Sequence, residues 1–169
     1  MVDRAQNKHP TVKFLIQRLA EAGCPVSPNF FKVQACAQRG EIGGGFLPGE
    51  GIVICHDRLG SQWEVDTAMS HELIHAYDQC RASNLDWTKC EHHACSEVRA
   101  AALSGDCTLW SEFLRGNFGI QKQFQACVRR RANLSVQGNP HCKGEKCKAA
   151  VDLVMDSCLS DTAPFDHLP

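Results

Sequence analysis

Hydrophobic and polar positions along the chain alternate between two periods, and the change of period divides it into elements. From Thr11 to Ala22 the apolar residues Val12, Leu15, Ile16 and Leu19 recur at i, i+3, i+4 and i+7, which predicts an amphipathic helix stopped by Gly23 ahead of Cys24-Pro25. Phe31, Val33 and Ala35 then alternate with Lys32 and Gln34, the period of a half-buried strand ending near Cys36. Two short runs, Gly43 to Leu47 and Gly51 to Cys55, flank Pro48-Gly49-Glu50 and predict a strand pair. Ile52 to Cys55 is either a free edge for an extended peptide or a core strand with no substrate role, and Gly43 to Gly45 is either a rim over a cleft or a turn.

The helical period returns at Ser61. Ser61-Gln62-Trp63-Glu64 fits a capping box, in which the serine oxygen accepts from the N3 amide and the glutamate accepts from the cap amide. Val65, Met69, Leu73, Ala76 and Cys80 continue from it as one apolar stripe, predicting a helix with a packed face and an opposite face open for chemistry. Further on, Arg81 to Thr88 reads as loop and Lys89 to Ser104 as a helix closed by Gly105. Leu109 to Leu114 and Gln121 to Arg131 read as short helices, Asn133 to Lys146 as a poorly structured Gly/Asn/Pro-rich stretch, and Cys147 to Leu159 as a last helix.

Composition changes this picture in one respect. Lys and Arg number 18 against 19 Asp and Glu, for a net charge of −1, which gives no electrostatic case for nucleic acid. The 11 cysteines, however, are far more than a reduced compartment usually carries. They predict several disulfides, with one thiol left over. Nine residues separate Cys80 from Cys90 and ten separate Cys147 from Cys158, spacings that either match the cysteine pairs of proteins in an oxidising space such as the mitochondrial intermembrane space or arise by chance among so many cysteines. The first eight residues are polar and lack the apolar core of a secretory leader, and no run reaches the roughly 18 apolar residues of a membrane span. Arg129-Arg130-Arg131, Lys143, Lys146 and Lys148 make the C-terminal part locally basic, as a solvated face or as a contact for an anionic bilayer.

The chemistry concentrates on the capped helix, which carries His71-Glu72-Leu73-Ile74-His75. Residues four apart on a helix lie one above the other, so His71 and His75 can both reach one Zn²⁺ while Glu72 acts as general base on a water. A catalytic zinc takes a third protein ligand. The next helix offers His93 and Glu97, which share a face, while His92 points away. Geometry does not separate His93 from Glu97: Glu97-Val98-Arg99-Ala100-Ala101 is similar to the two-histidine, one-glutamate zinc peptidases, and His93 would suit a three-histidine site. Asp78 is a candidate partner for the free nitrogen of His71, and Tyr77 and His93 are candidate oxyanion donors. Cys142 and Cys147 with His141, or Cys90, His92, His93 and Cys95, form rival structural zinc sets if the cysteines are reduced.

Taken together, Gly43-Gly44-Gly45-Phe46, Gly51 to Cys55, Thr67 to Arg81, Cys95 to Ala101 and Leu103 to Cys107 resemble the mitochondrial inner-membrane zinc metallopeptidase family that processes ATP synthase, also described as the Ku-binding protein family. The resemblance runs from about Gly23 to Cys158. It implies an α+β, zincin-like fold: a small antiparallel or mixed sheet packed on an active-site helix, followed by a disulfide-braced helical C-terminal part. The expected organisation is a single domain, 1–169, with a zincin-like core over about 1–107 and a helical extension over about 108–169.

The resemblance also implies a zinc endopeptidase of the mitochondrial intermembrane space, peripheral to the inner membrane and imported with the disulfide-relay machinery. Such an enzyme would process an ATP-synthase membrane subunit precursor and assist assembly of the membrane sector. His71 and His75 carry over as zinc ligands and Glu72 as catalytic base; Glu97 is the expected third ligand, although the family motif does not settle it. Two other functions are compatible with these residues: a non-proteolytic assembly chaperone that retains the zinc site, and a DNA-repair-associated zinc peptidase. The latter is weakened by the missing basic DNA-binding segment.

Overall fold

The computed structural model describes residues 1–36, 42–108 and 123–168, and they fall into two compact units, Met1–Ser83 and Asn84–Pro169. The class is α+β, as the resemblance implies. The helix expected over Leu109–Leu114 lies outside the described residues.

In the first unit, α1 (Val2–Lys8) and α2 (Pro10–Glu21) precede three short strands, β1 (Phe31–Gln34), β2 (Gly44–Leu47) and β3 (Gly51–Cys55), and the long α3 (Gln62–Arg81) follows. Pro10 opens α2, where its missing N–H costs nothing, and Gly23 follows it with φ +89°. Val12, Leu15 and Leu19 are buried as their spacing predicts, and α2 packs on α3. Helix α1, which the polar N-terminal residues did not suggest, is short and buries Ala5 against its neighbours.

The sheet order is β1-β3-β2, with β1 parallel and β2 antiparallel to β3. Every residue of β3 is buried, so β3 is the centre of the sheet, and of the two alternatives for Ile52 to Cys55 it is the core strand and not the free edge. A strand paired on both sides has no backbone groups left for a peptide; among the described strands, the edges are β1 and β2. The alternation in β1 also misleads, because Val33 is 54% exposed. The turn from β2 into β3 needs glycine at Gly51: its φ is +110°, and a Cβ there would sit 2.3 Å from the Phe30 carbonyl oxygen. A disulfide, Cys36–Cys55, ties the end of β1 to the end of β3, and Cys24–Cys80 ties the end of α2 to the end of α3.

The second unit is helical. Helices α4 (Cys90–Leu103), α5 (Gln123–Gln137) and α6 (Glu145–Ser160) all pack on one another. Helix α4 is rich in alanine, and buried Ala94, Ala100, Ala101 and Ala102 let neighbouring backbones approach closely. Helix α5 runs six residues past the end expected at Arg131, because Val128, Ala132 and Val136 extend a buried stripe through the polar Asn133 and Ser135. The three disulfides of this unit, Cys90–Cys142, Cys95–Cys158 and Cys107–Cys127, staple α4 and the residues after it to α5, α6 and the turn between them. The remaining cysteine, Cys147, is a buried thiol, and burial raises its pKa above the ordinary value. Arg99 is 1% exposed and is satisfied by the Asp161 carboxylate, the Asp161 carbonyl and the Ala163 carbonyl. The C-terminal segment is thereby clamped to α4.

Candidate metal centre

Helix α3 starts as its sequence dictates. The Ser61 hydroxyl oxygen accepts from the Glu64 N–H, and the Glu64 carboxylate accepts from the Ser61 N–H at 2.8 Å and the Gly60 N–H at 2.9 Å. This fixes the first turn, and with it the rotation of everything downstream. Two and a half turns later, the His71 and His75 rings meet edge to face with centroids 4.8 Å apart, the contact expected of residues at i and i+4. Their nitrogens are thus brought together on one side of the helix.

The surroundings differ from the open face expected. Glu72 is 8% exposed and His75 5%, and Ser70, Ile74 and Asp78 are buried too, so α3 is enclosed well beyond its apolar stripe. His71 keeps partial exposure. Within the first unit, part of the cover is β2, which packs along α3. A Cβ on Gly44 would lie 3.6 Å from the Glu72 Cγ and 2.7 Å from the Val53 carbonyl oxygen. Gly44 therefore allows strand and helix to approach at the glutamate, which decides the earlier alternatives of rim or turn in favour of strand. Asp78 is no surface aspartate: its Oδ1 is 3.2 Å from the Arg81 guanidinium, which also stands over the Tyr77 ring at 5.8 Å.

In the second unit Glu97 is buried on α4, with Oε1 3.2 Å from the His93 Nε2. The His93 Nδ1 is 3.0 Å from the amide nitrogen of Asn139, and the Trp87 ring meets the imidazole edge to face. Both nitrogens of His93 therefore have protein partners. His92 faces elsewhere, as expected, and its Nδ1 accepts from the Asp86 N–H. Neither rival cysteine set survives. Cys90, Cys95 and Cys142 are all in disulfides, and an oxidised sulfur offers no thiolate. The disulfide connectivity, which the sequence left open, joins Cys80 to Cys24 and Cys158 to Cys95. Asn139 carries no signal in the sequence beyond a turn-forming dipeptide before proline.

His71 and His75 offer two adjoining imidazoles on α3 of the first unit, and Glu97 is a buried carboxylate on α4 of the second. Two imidazoles and a carboxylate are a donor set suited to a transition-metal ion, zinc foremost. A hydrolytic enzyme is the class that an α+β fold with such a helix defines. The chain belongs to the Peptidase M76 family, whose model matches residues 1–166. Among the relatives it resembles is the "Mitochondrial inner membrane protease ATP23" of Lodderomyces elongisporus, 43% identical over 166 residues, with 94% of this chain and 67% of that protein covered. The protein of the same name from Saccharomyces cerevisiae strain YJM789 is 42% identical over 166 residues, with coverage of 94% and 73%. A Homo sapiens protein, "Mitochondrial inner membrane protease ATP23 homolog", is 42% identical over 164 residues, with coverage of 95% and 65%. No solved structure matches.

Proposed function

We propose that the protein is a zinc-dependent endopeptidase in which His71, His75 and Glu97 hold the ion and Glu72 is the general base. The observation that carries this reading is the pair of adjoining imidazoles on α3, with Glu72 next in sequence and strand β2 beside it. A zinc ion bound there would polarise the scissile carbonyl and lower the pKa of the attacking water. Glu72 takes the proton from that water and later delivers it to the leaving amine. Its burial limits competing water, and Gly44 of β2 stands beside it. The edge of β2 offers backbone N–H and C=O groups to an extended peptide, which would run alongside Glu72.

The proposed setting is the intermembrane-space side of the mitochondrial inner membrane. Relatives named as inner-membrane proteases support it, as do five disulfides, which need an oxidising compartment. No described helix is long and apolar enough to cross a membrane, so association with the membrane surface is part of the proposal. The substrate class is a membrane-protein precursor with an extended N-terminal segment; the family resemblance points to an ATP-synthase membrane subunit, with assistance in its assembly and import by the disulfide relay.

The experiment is Glu72→Gln, assayed with zinc content and with cleavage of a precursor. The proposal expects zinc at the wild-type level and cleavage reduced by a factor of about 10²–10⁴, the usual worth of a general base. Cleavage at the wild-type rate would overturn it.

A further inference from the structure

We propose that Asn139 is a positioning residue for the metal centre: its amide selects the Nε2–H tautomer of His93, and that N–H holds the Glu97 carboxylate in place as a ligand. This deepens the zinc reading above and rests on Glu97 being a ligand.

Two of the groups around Asn139 have a fixed hydrogen-bonding polarity. The His141 backbone N–H can only donate, and it meets the Asn139 Oδ1 at 3.0 Å. The Trp87 backbone carbonyl can only accept, and it meets the Asn139 Nδ2 at 2.7 Å. These two contacts settle which end of the amide is nitrogen. Nδ2 therefore has a second hydrogen, and it points to the His93 Nδ1 at 3.0 Å. An amide nitrogen does not accept, so Nδ1 must be the acceptor and the ring proton resides on Nε2. That proton is donated to the Glu97 Oε1 at 3.2 Å.

The relay is held by elements that are themselves fixed. Asn139 lies in the turn between α5 and α6, and the Cys90–Cys142 disulfide fastens that turn to the first residue of α4, one turn before His93. The Trp87 ring stands edge-on to the imidazole and limits its rotation. A carboxylate ligand with a histidine donor behind it is the reverse of the usual arrangement of a ligating histidine backed by a carboxylate. The physical effect is the same, since the ligand is held in one orientation.

The test uses the full-length oxidised, zinc-loaded chain with ¹⁵N-labelled histidine. Long-range ¹H–¹⁵N spectra report which His93 nitrogen carries the proton, and chelator competition gives zinc affinity. Asn139→Asp keeps the acceptor for His141 and removes both donors; it is expected to move the His93 proton to Nδ1 and to weaken zinc binding about 10-fold. In His93→Gln the side-chain amide can still donate to Glu97, so affinity is expected within about 3-fold of wild type. In that background Asn139→Asp is expected to cost nothing further. The proposal is overturned if wild-type His93 carries its proton on Nδ1, if Asn139→Asp leaves affinity unchanged, or if it costs as much with Gln at 93 as with His, which would mark a purely structural role. Glu97→Gln separates the two levels: unchanged zinc affinity in that variant refutes Glu97 as ligand, whereas the tautomer shift caused by Asn139→Asp reports on the relay alone.

Discussion

The approach of β2 to α3 at Gly44 is the tightest constraint around the candidate base, and its neighbour supplies a control. In Gly44→Ala the new Cβ would meet the Val53 carbonyl oxygen at 2.7 Å, about 0.7 Å inside an ordinary contact. The obstacle is backbone in the central strand, which is paired on both sides and tied to β1 through Cys36–Cys55, so it cannot yield as a side chain would. Strand β2 must move outward, away from Glu72, whose Cγ is the next contact at 3.6 Å. Overpacking of this kind costs about 1–3 kcal/mol, offset by roughly 0.5–1 kcal/mol from replacing glycine in a strand. The net expectation is a loss of about 1–2 kcal/mol and a fall in Tm of several degrees. Gly45→Ala gains the same strand preference and meets nothing within 4 Å, so it should be neutral or slightly stabilising. Thermal melts of the oxidised proteins give the stability, and kcat/KM on an extended peptide gives the effect of displacing β2. A Gly44→Ala protein as stable and active as wild type, or a Gly45→Ala protein more damaged, would refute the reasoning.

Further outcomes are expected at the helix cap, the disulfides and the C-terminal clamp. Ser61→Ala should cost about 0.5–2 kcal/mol by loss of the cap. The Ser61 hydroxyl, with the Gly60 and Ser61 amides, holds the Glu64 pKa below its ordinary value; a depressed carboxylate stabilises above its unfolded pKa and stops doing so as pH falls through the folded one, so acid melts of Glu64→Gln should lose that part of the pH dependence. Cys24→Ser opens a link across 56 residues and should lower stability by about 4 kcal/mol on chain-entropy grounds, measured by denaturant unfolding; one thiol per native wild-type chain, reactive only after unfolding, should be Cys147. Arg99→Lys replaces a buried fork that serves three oxygens with a single ammonium, and should release the segment from Asp161 onward to limited proteolysis while α6 stays protected.

What could be read in the sequence was what is decided within one or two turns of chain. The capping box, the register of His71 with His75 and the sharing of a face by His93 and Glu97 depend only on local geometry, and the structure reproduces each of them. The position of β3 stayed open between edge and core because strand order depends on which distant segment pairs with which, and a run such as Ile52 to Cys55 looks the same at an edge or in the middle. Helix α5 was cut short because Asn133 and Ser135 lower the average polarity signal without interrupting the stripe of Val128, Ala132 and Val136. Cysteine spacing left the disulfide pairing undetermined, since a bond such as Cys95 to Cys158 spans 63 residues and is set by the packing of helices distant in sequence. Asn139 acts through the fold alone, brought to His93 by the turn that Cys142 anchors, and no local pattern foretells that.

The most direct measurement is the zinc content of purified, fully oxidised protein, determined together with its His71→Ala, His75→Ala and Glu72→Gln variants. The account predicts one zinc ion per wild-type chain, near-complete loss in either histidine variant and full retention in Glu72→Gln. A histidine variant that kept its zinc, or zinc that left only when disulfides were altered, would contradict it.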